Sequence, residues 1–349
     1  MNITIVTVYN SENCGSYLQA YAMSKYLAEK GNNVRFLKRP SFGSSHSSLS
    51  ILNESIKCAI RKHFGQIRLI LQRHQNFNAA LKDFNVVSVA EAKKNTDMFL
   101  LGSDTIWDFT YVYFRKNYLL YTGKVLGEKK FAVYAASCAN TTTENIKTYS
   151  IDMSGLKKAK GISVRDRATH DVLYNCVGLE SQIVVDPTLL IEKEEYQSLV
   201  GKPIVDRYVL VYCFGRIDEP LKNEITMYAK KNELKIITLG SYEKWAYRCI
   251  PASPQAFLTY YNSAECVITN TFHGTIFSTI YHRQFLAVTS NKNKITEYLN
   301  ATGLAGRICD KPEIMAEVMH KKIDYVAFDE RLSEIRNVSR QFLANTIKQ

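Results

Sequence analysis

The 349-residue sequence has no apolar run approaching the roughly 18 residues that a membrane span requires. No basic segment precedes the apolar residues of its opening, MNITIVTVYN, so that opening reads as a strand rather than a secretion signal and the chain is expected in the cytoplasm. The eight cysteines never fall at C-x-x-C spacing. A zinc or iron–sulfur site therefore has no support, and the thiols are expected to be reduced and mostly buried. No recognised nucleic-acid module is present, so a nucleic-acid partner is not expected. What is there is ordinary for a globular enzyme, with 46% hydrophobic and 22% charged residues. The length exceeds one comfortable core and predicts two domains of about 150–200 residues each.

The formal charge of +12 is concentrated. Between Arg35 and Arg73 lie eight basic residues (Arg35, Lys38, Arg39, Lys57, Arg61, Lys62, Arg68, Arg73) against one acid, Glu54. A serine-rich stretch at 41–50 precedes a segment, 51–81, whose apolar positions Leu52, Ile56, Ile60, Ile67 and Leu71 alternate with basic ones and predict an amphipathic helix. Two readings stand: a helical excursion with a solvated basic face, or a lid or a face for an anionic membrane or acceptor.

Taken in order, residues 3–9 predict a strand, Asn10–Gly15 a polar turn, the following SYLQAYAMSKYLAEK a helix stopped by Gly31, and Asn33–Leu37 a second strand. Strand, turn, helix and strand make a right-handed βαβ unit. The turn is not G-x-G-x-x-G; Asn13, Gly15 and Ser16 at the helix start either cradle a ligand or cap the helix. Strands are expected at 86–89, 97–101, 130–136, 162–164 and 183–185. Gly102–Ser103–Asp104 ends one of them, with Asp104 placed either to accept from a sugar hydroxyl or to cap a turn, and Trp107 as an apolar or stacking wall. Arg165 follows a short strand, where a guanidinium suits bidentate capture of carboxylate or phosphate; the plainer reading is a surface pair with Asp166. Asp186–Pro187–Thr188 reads as the break that closes the first domain. A second αβ series then runs through strands at 208–214, 235–239, 266–268 and 285–288, with helices at 220–231, 254–261, 293–299 and 324–347.

The stretch Ala264–Ser278, AECVITNTFHGTIFS, is a strand, a tight polar turn and a helix start. In open parallel sheets such a loop binds ligands, because the first free N–H groups of the helix point at an occupant and favour an anion. His273 in that loop either donates to a phosphate and moves protons, or caps the helix.

Seven blocks occur here in one order: GSYLQAYAMSKYL, LLGSDTIWDF, FAVYAASCAN, GISVRDRAT, VVDPTLL, YVLVYCFG and ITNTFHGTIFSTIYHRQF, followed by NKNKITEYL and TGLAGR. Together they resemble the polysaccharide pyruvyl transferase family. The resemblance implies an α/β fold of two Rossmann-like domains facing a central cleft, similar to GT-B glycosyltransferases. An acceptor-side domain would span about 1–190 with the basic insertion at 41–81, and a donor-side domain about 200–325. A terminal helix, 326–349, would return to the first domain. It implies transfer of the pyruvyl group of phosphoenolpyruvate to a cell-surface saccharide or its lipid-linked precursor, forming a ketal and releasing phosphate, with no metal or cofactor. His273 would be the essential histidine and Arg165 the donor-binding arginine. Asn270, Thr271, Phe272, Gly274 and Thr275 would line the donor site; Asn13, Gly15, Ser16, Asp104 and Trp107 would face the acceptor. Departures from the family pattern fall at Thr105, Asp108, Thr271 and Cys138, mostly on the acceptor side. The alternatives are a nucleotide-sugar glycosyltransferase, for which Glu297 is the candidate ribose ligand, and a silent binding protein that kept the fold. Nothing in the sequence sets an oligomeric state.

Overall fold

The structure, a computed structural model, describes residues 1–40, 56, 64–289 and 293–348. Two parallel sheets organise it. The first holds β1 (Asn2–Val6), β2 (Asn33–Leu37), β3 (Val86–Val87), β4 (Met98–Leu101), β5 (Phe131–Ala136), β6 (Ile162–Val164) and β7 (Gln182–Ile183), in the order β3-β2-β1-β4-β5-β6-β7. The second holds β8 (Tyr208–Tyr212), β9 (Lys235–Leu239), β10 (Arg248–Ile250), β11 (Cys266–Thr269), β12 (Gln284–Val288) and β13 (Ile308–Cys309), in the order β10-β9-β8-β11-β12-β13. Every pairing is parallel, with Ile5 set between Phe36 and Leu100 and Ile268 between Val211 and Leu286. Central strands such as MFLL and YVLVY are buried along their whole length, as sheets covered by helices on both faces require.

Strand order reverses between β1 and β4 in one sheet and between β8 and β11 in the other. Those two points are where doubly wound sheets open a crevice at their carboxyl ends. A single apolar cluster joins the two sheets, taking in Ile3 and Tyr17 from one side and Leu210, Phe257 and Phe277 from the other. Tyr196 sits at the seam, packed against Phe277 at 5.3 Å and Tyr21 at 6.0 Å between ring centres.

The last helix, Tyr325–Ile347, begins on the second domain, where Tyr325 donates to the carbonyl of Arg283, and ends on the first. Ser339 Oγ accepts the Val185 amide at 3.0 Å, Arg340 donates to the Leu190 carbonyl, and Phe342 lies 6.3 Å from Tyr134 between ring centres. The expected return to the first domain is therefore present.

The basic segment divides. The serine-rich stretch 41–50, and with it Lys57, Arg61 and Lys62, lies outside the described residues. Phe64–Ala80 is helical, but it buries Leu69, Ile70 and Phe77 and leaves Leu71 exposed. The apolar face expected through Ile67 and Leu71 is thus rotated, because the helix is pinned by Arg73 and His74, which both bond Glu12 at 2.8 and 2.7 Å. Arg35 donates to the Asn95 carbonyl from the interior. Of the described basic residues, Lys38 and Arg68 face solvent. No described helix is long and apolar enough to cross a membrane.

Replacing Ser339 with Ala leaves the buried Val185 amide without its acceptor. Denaturant unfolding is expected to show a loss of about 1–3 kcal/mol; an unchanged midpoint would mean that the terminal helix does not anchor the first domain through this bond.

Candidate active site

The site forms where the two crevices meet. On the second domain, β11 ends in Thr269 and the helix Phe272–Ile280 begins three residues later. Thr271 caps it, with Oγ1 accepting the Gly274 amide at 2.9 Å. Thr269 Oγ1 accepts the Thr271 amide at 3.1 Å and donates to the Tyr212 carbonyl at 2.6 Å. A β-carbon at Gly274 would stand 2.2 Å from Thr269 Oγ1 and 2.5 Å from Thr271 Oγ1, so the turn closes only around glycine. Capping serves Gly274 and the turn's backbone serves Thr275. The amides of Phe272 and His273 are the ones with no acceptor inside the helix, the usual state of a first helical turn.

Several donor-site expectations are corrected here. His273 stands in the first helical turn, not in the loop before it, because Thr271 rather than a later residue is the cap. Asn270 braces the end of β11. Its amide accepts from the Phe214 N–H and donates to the Phe214 carbonyl, both at 2.8 Å, and so ties the β8 loop to the end of β11. Thr271 and Thr275 build the turn: Thr275 is fully buried and its hydroxyl bonds the Thr271 carbonyl at 3.0 Å.

His273 faces the other domain. Its Nε2 is 3.5 Å from Asp186 Oδ2, an ion-pair distance longer than a hydrogen bond. Its Nδ1 lies where a β-carbon on Gly15 would come within 2.1 Å. The histidine is thus held between the start of the first helix, Cys14–Glu29, and the end of β7.

Asp186 is the residue that the sequence reading passed over as a domain break. Its side chain is fully enclosed: Oδ2 accepts from Arg165 Nη1 at 2.8 Å, and Oδ1 accepts from the Thr188 amide at 3.0 Å and hydroxyl at 2.7 Å. Burial pushes its carboxyl up, but the nearby imidazole of His273, then the charge of Arg165 and the Thr188 hydroxyl, outweigh that and hold it below the usual carboxylate range. Arg165 is buried too, and it pairs with Asp186 rather than Asp166. Asp166 caps the next helix through Thr169 and accepts from Ser137. The Arg165 guanidinium stacks over the Phe272 ring at 4.7 Å, and its Nε is enclosed without a partner.

Lys294 also went unremarked in the sequence. Its ammonium lies 5.7 Å from the Phe272 ring centre. Burial, and then the charge of Arg165, bring its pKa down to about 8, with Asp104, Asp166 and Asp108 partly opposing. Only the NKNK cluster flagged it, and basic runs are common enough that spacing alone does not single out one lysine.

On the first domain, Asn13 caps the first helix through the Gly15 amide at 2.8 Å. Asp104 has φ 69° and accepts the Ser16 hydroxyl at 2.6 Å, joining the ends of β1 and β4 at the crevice. Trp107 is not a cleft wall: it is fully buried, with Nε1 bonded to the Tyr121 carbonyl at 2.8 Å, because the turn after Asp104 folds it into the first core. Asp108 is buried and bonds Thr110, with its carboxyl raised by burial. Cys138 is buried, and desolvation raises its thiol well above the ordinary value. Across the cleft, Glu297 accepts the Arg167 amide at 2.8 Å, so the carboxylate considered for a ribose caps a helix of the other domain. Among the described residues, no group of three or more His, Cys, Asp and Glu is placed to hold a metal.

The decisive comparison is with protein families: the model of the family described as polysaccharide pyruvyl transferase matches residues 13–292. The chain belongs to the polysaccharide pyruvyl transferase family. That makes it a transferase of polysaccharide biosynthesis, and its matched span covers every residue described above at the cleft except Lys294 and Glu297. Among proteins of curated function none matches the sequence. Among solved structures, the UDP-GlcNAc 2-epimerase of Neisseria meningitidis, bound to UDP-GlcNAc, superposes with TM-score 0.54 at 10% identity, covering 100% of both chains. The UDP-GlcNAc 2-epimerase of Methanocaldococcus jannaschii gives 0.53 at 11% identity over 93% of each chain. At such identity the likeness is one of fold, and the fold of this pyruvyl transferase family member is GT-B-like.

The lysine gives a test of the site's electrostatics. Because the folded-state pKa of Lys294, about 8, lies below its ordinary 10.5, folding releases a proton between those values and stability rises with pH across that window. Lys294→Met is expected to flatten that rise in denaturant melts taken from pH 7.5 to 10; an unaltered slope would place the ammonium in solvent.

Proposed function

We propose that this transferase takes phosphoenolpyruvate as donor and places its pyruvyl group on a saccharide of a cell-surface polysaccharide or its lipid-linked precursor, forming a ketal. One observation carries the reading. Arg165, Lys294, His273 and the free amides of a helix N-terminus converge around Phe272, which is a cation-rich cradle for a small donor bearing both a carboxylate and a phosphate. The partnerless Nε of Arg165 leaves one edge of its guanidinium for the carboxylate. The helix amides and Lys294 serve the phosphate.

In this reading an acid at the cleft protonates the methylene carbon, and positive charge grows at the carbon bearing the phosphate. A sugar hydroxyl attacks that carbon, phosphate leaves with its C–O bond broken, and a second hydroxyl closes the ketal. Two hydroxyl protons are released in all: one balances the methyl group formed and the other leaves on phosphate. His273, between Asp186 and the donor space, is the proton carrier, and Asp186 orients its ring. Asp104 with Ser16 presents an acceptor for a sugar hydroxyl at the opposite crevice. Glu297, the ribose candidate of the nucleotide-sugar alternative, accepts the Arg167 amide through Oε2.

Isothermal titration with phosphoenolpyruvate, run beside UDP-GlcNAc, tests the donor. Arg165→Gln is expected to weaken phosphoenolpyruvate about 10- to 100-fold, the worth of a lost charge-assisted pair. UDP-GlcNAc binding without any response to phosphoenolpyruvate would overturn the proposal. Gly15→Ala drives a methyl group into the imidazole of His273. Turnover is expected to fall by about 100-fold or more with phosphoenolpyruvate affinity changed far less, since small displacements of a reacting group cost that much.

A further inference from the structure

The helix Phe64–Ala80 crosses from one domain to the other. Arg73 and His74 hold Glu12, in the turn after β1, while Gln66 Oε1 accepts the amide of Tyr242, in the loop after β9, at 2.8 Å. A β-carbon on Gly65 would stand 2.2 Å from the Tyr242 ring, so helix and loop are in close contact. Both anchors lie at the carboxyl ends of strands, and the helix therefore runs along the rim at which the cleft opens. One pattern recurs along that rim. On the solvent side of the helix, Phe64 is 67% and Leu71 47% exposed, with Arg68 exposed between them. After β8, Phe214 is 54% exposed and the exposed Arg216 follows it; after β9, Tyr242 is exposed and so is Lys244. Register sets these two loops side by side, since Val211 pairs with Thr238.

Arg68, Arg216 and Lys244 make no ion pair among the described residues. The acids beside them are engaged elsewhere: Glu12 by Arg73 and His74, Asp218 by the Leu221 amide at 3.0 Å, and Glu243 by Trp245 Nε1 at 2.8 Å. Single exposed apolar residues are ordinary, but several along one rim, interleaved with uncompensated cations, are not. That composition suits a bilayer interface, where bulky apolar side chains enter the acyl boundary and cations meet lipid phosphates. The basic run expected from the sequence supplies only part of this surface, because Arg35, Arg39 and Arg73 are taken up by Asn95, Asn10 and Glu12. The second domain supplies the rest. We propose that this rim docks on an anionic lipid surface, with Phe64, Leu71 and Phe214 entering the interface and Arg68, Arg216 and Lys244 at the lipid phosphates. The proposal deepens the reading of a lipid-linked precursor as acceptor and rests on it for its purpose: a cleft that opens toward a bilayer meets a saccharide carried on a lipid.

The test is cosedimentation of the full chain with vesicles of phosphatidylcholine alone and of phosphatidylcholine mixed with phosphatidylglycerol. Wild type is compared with Arg68→Glu combined with Lys244→Glu, and with Phe64→Ser combined with Leu71→Ser. A third pair, Lys157→Glu with Lys231→Glu, changes the net charge equally but lies at the opposite edges of the sheets, ahead of β6 and β9. Wild type is expected to sediment with the anionic vesicles and not with the neutral ones. Reversing the rim cations is expected to weaken that binding at least about tenfold, from the loss of two lysine or arginine contacts with the surface. The serine pair is expected to weaken it severalfold, and the opposite-edge pair little. Thermal melting shows which variants fold, and Phe64→Ser alone carries the apolar arm if the pair does not. Wild type that ignores anionic vesicles, equal losses in the two charge-reversed pairs, or serine variants that bind as wild type does would overturn the proposal. Phosphoenolpyruvate titrated into the same variants keeps the two readings apart. If it binds none of them while vesicle binding follows the rim, the donor reading fails and the lipid-facing surface stands.

Discussion

The buried carboxylate of Asp186 is the constraint on which the site depends. It belongs to the first domain, its oxygens are enclosed, and it holds Arg165 by a 2.8 Å bond while facing His273 of the second domain at 3.5 Å. A lone carboxylate there would be strongly disfavoured, and so would a lone guanidinium. Arg165 and the Thr188 bonds satisfy the carboxylate, and removing either the arginine or the carboxylate leaves the other as an uncompensated buried charge. That pair sets how the arginine lies, and its carboxylate faces the histidine of the other domain across the cleft.

That approach is close because the sequence is small where the domains touch. Gly15 lies against His273 with no room for a β-carbon, and Glu297 reaches over to the amide of Arg167. The topological switch points of the two sheets, between β1 and β4 and between β8 and β11, are therefore opposed. Each presents what its own turn provides. The second domain offers helix amides and Lys294 around Phe272, and the first brings Arg165 to the same ring and a carboxylate and a hydroxyl at Asp104 and Ser16. Both domains therefore contribute polar groups to one cleft. Membership in the polysaccharide pyruvyl transferase family agrees with it.

Much of the fold was legible because its strands are short, apolar and bounded by polar turns. β2, β6 and β9 fall at 33–37, 162–164 and 235–239 as their residues predict. The sequence also singled out His273 and Arg165, since a histidine after a strand and an arginine at a strand end are local features. What it did not show depends on residues far apart in the chain. Asp186 in D-P-T reads locally as a turn, and its meaning comes from Arg165, 21 positions away, and from His273 across the cleft. Lys294 gains its depressed pKa only through burial against groups from the other domain. Trp107 was misplaced for the converse reason: it follows the polar turn of Ser103, Asp104 and Thr105, yet the chain turns it inward onto Tyr121. Asn270 also carries a role that local sequence does not show, since its amide is matched to the backbone of Phe214, 56 positions away.

The most direct measurement is a crystal structure of the protein soaked with phosphoenolpyruvate. The account predicts the carboxylate on the Nε edge of Arg165 and the phosphate at the amides of Phe272 and His273, with Lys294 in reach and Asp186 still joined to Arg165. Phosphoenolpyruvate bound on the first domain away from Phe272, or an Arg165 that leaves Asp186 with the histidine turned from the ligand, would contradict it.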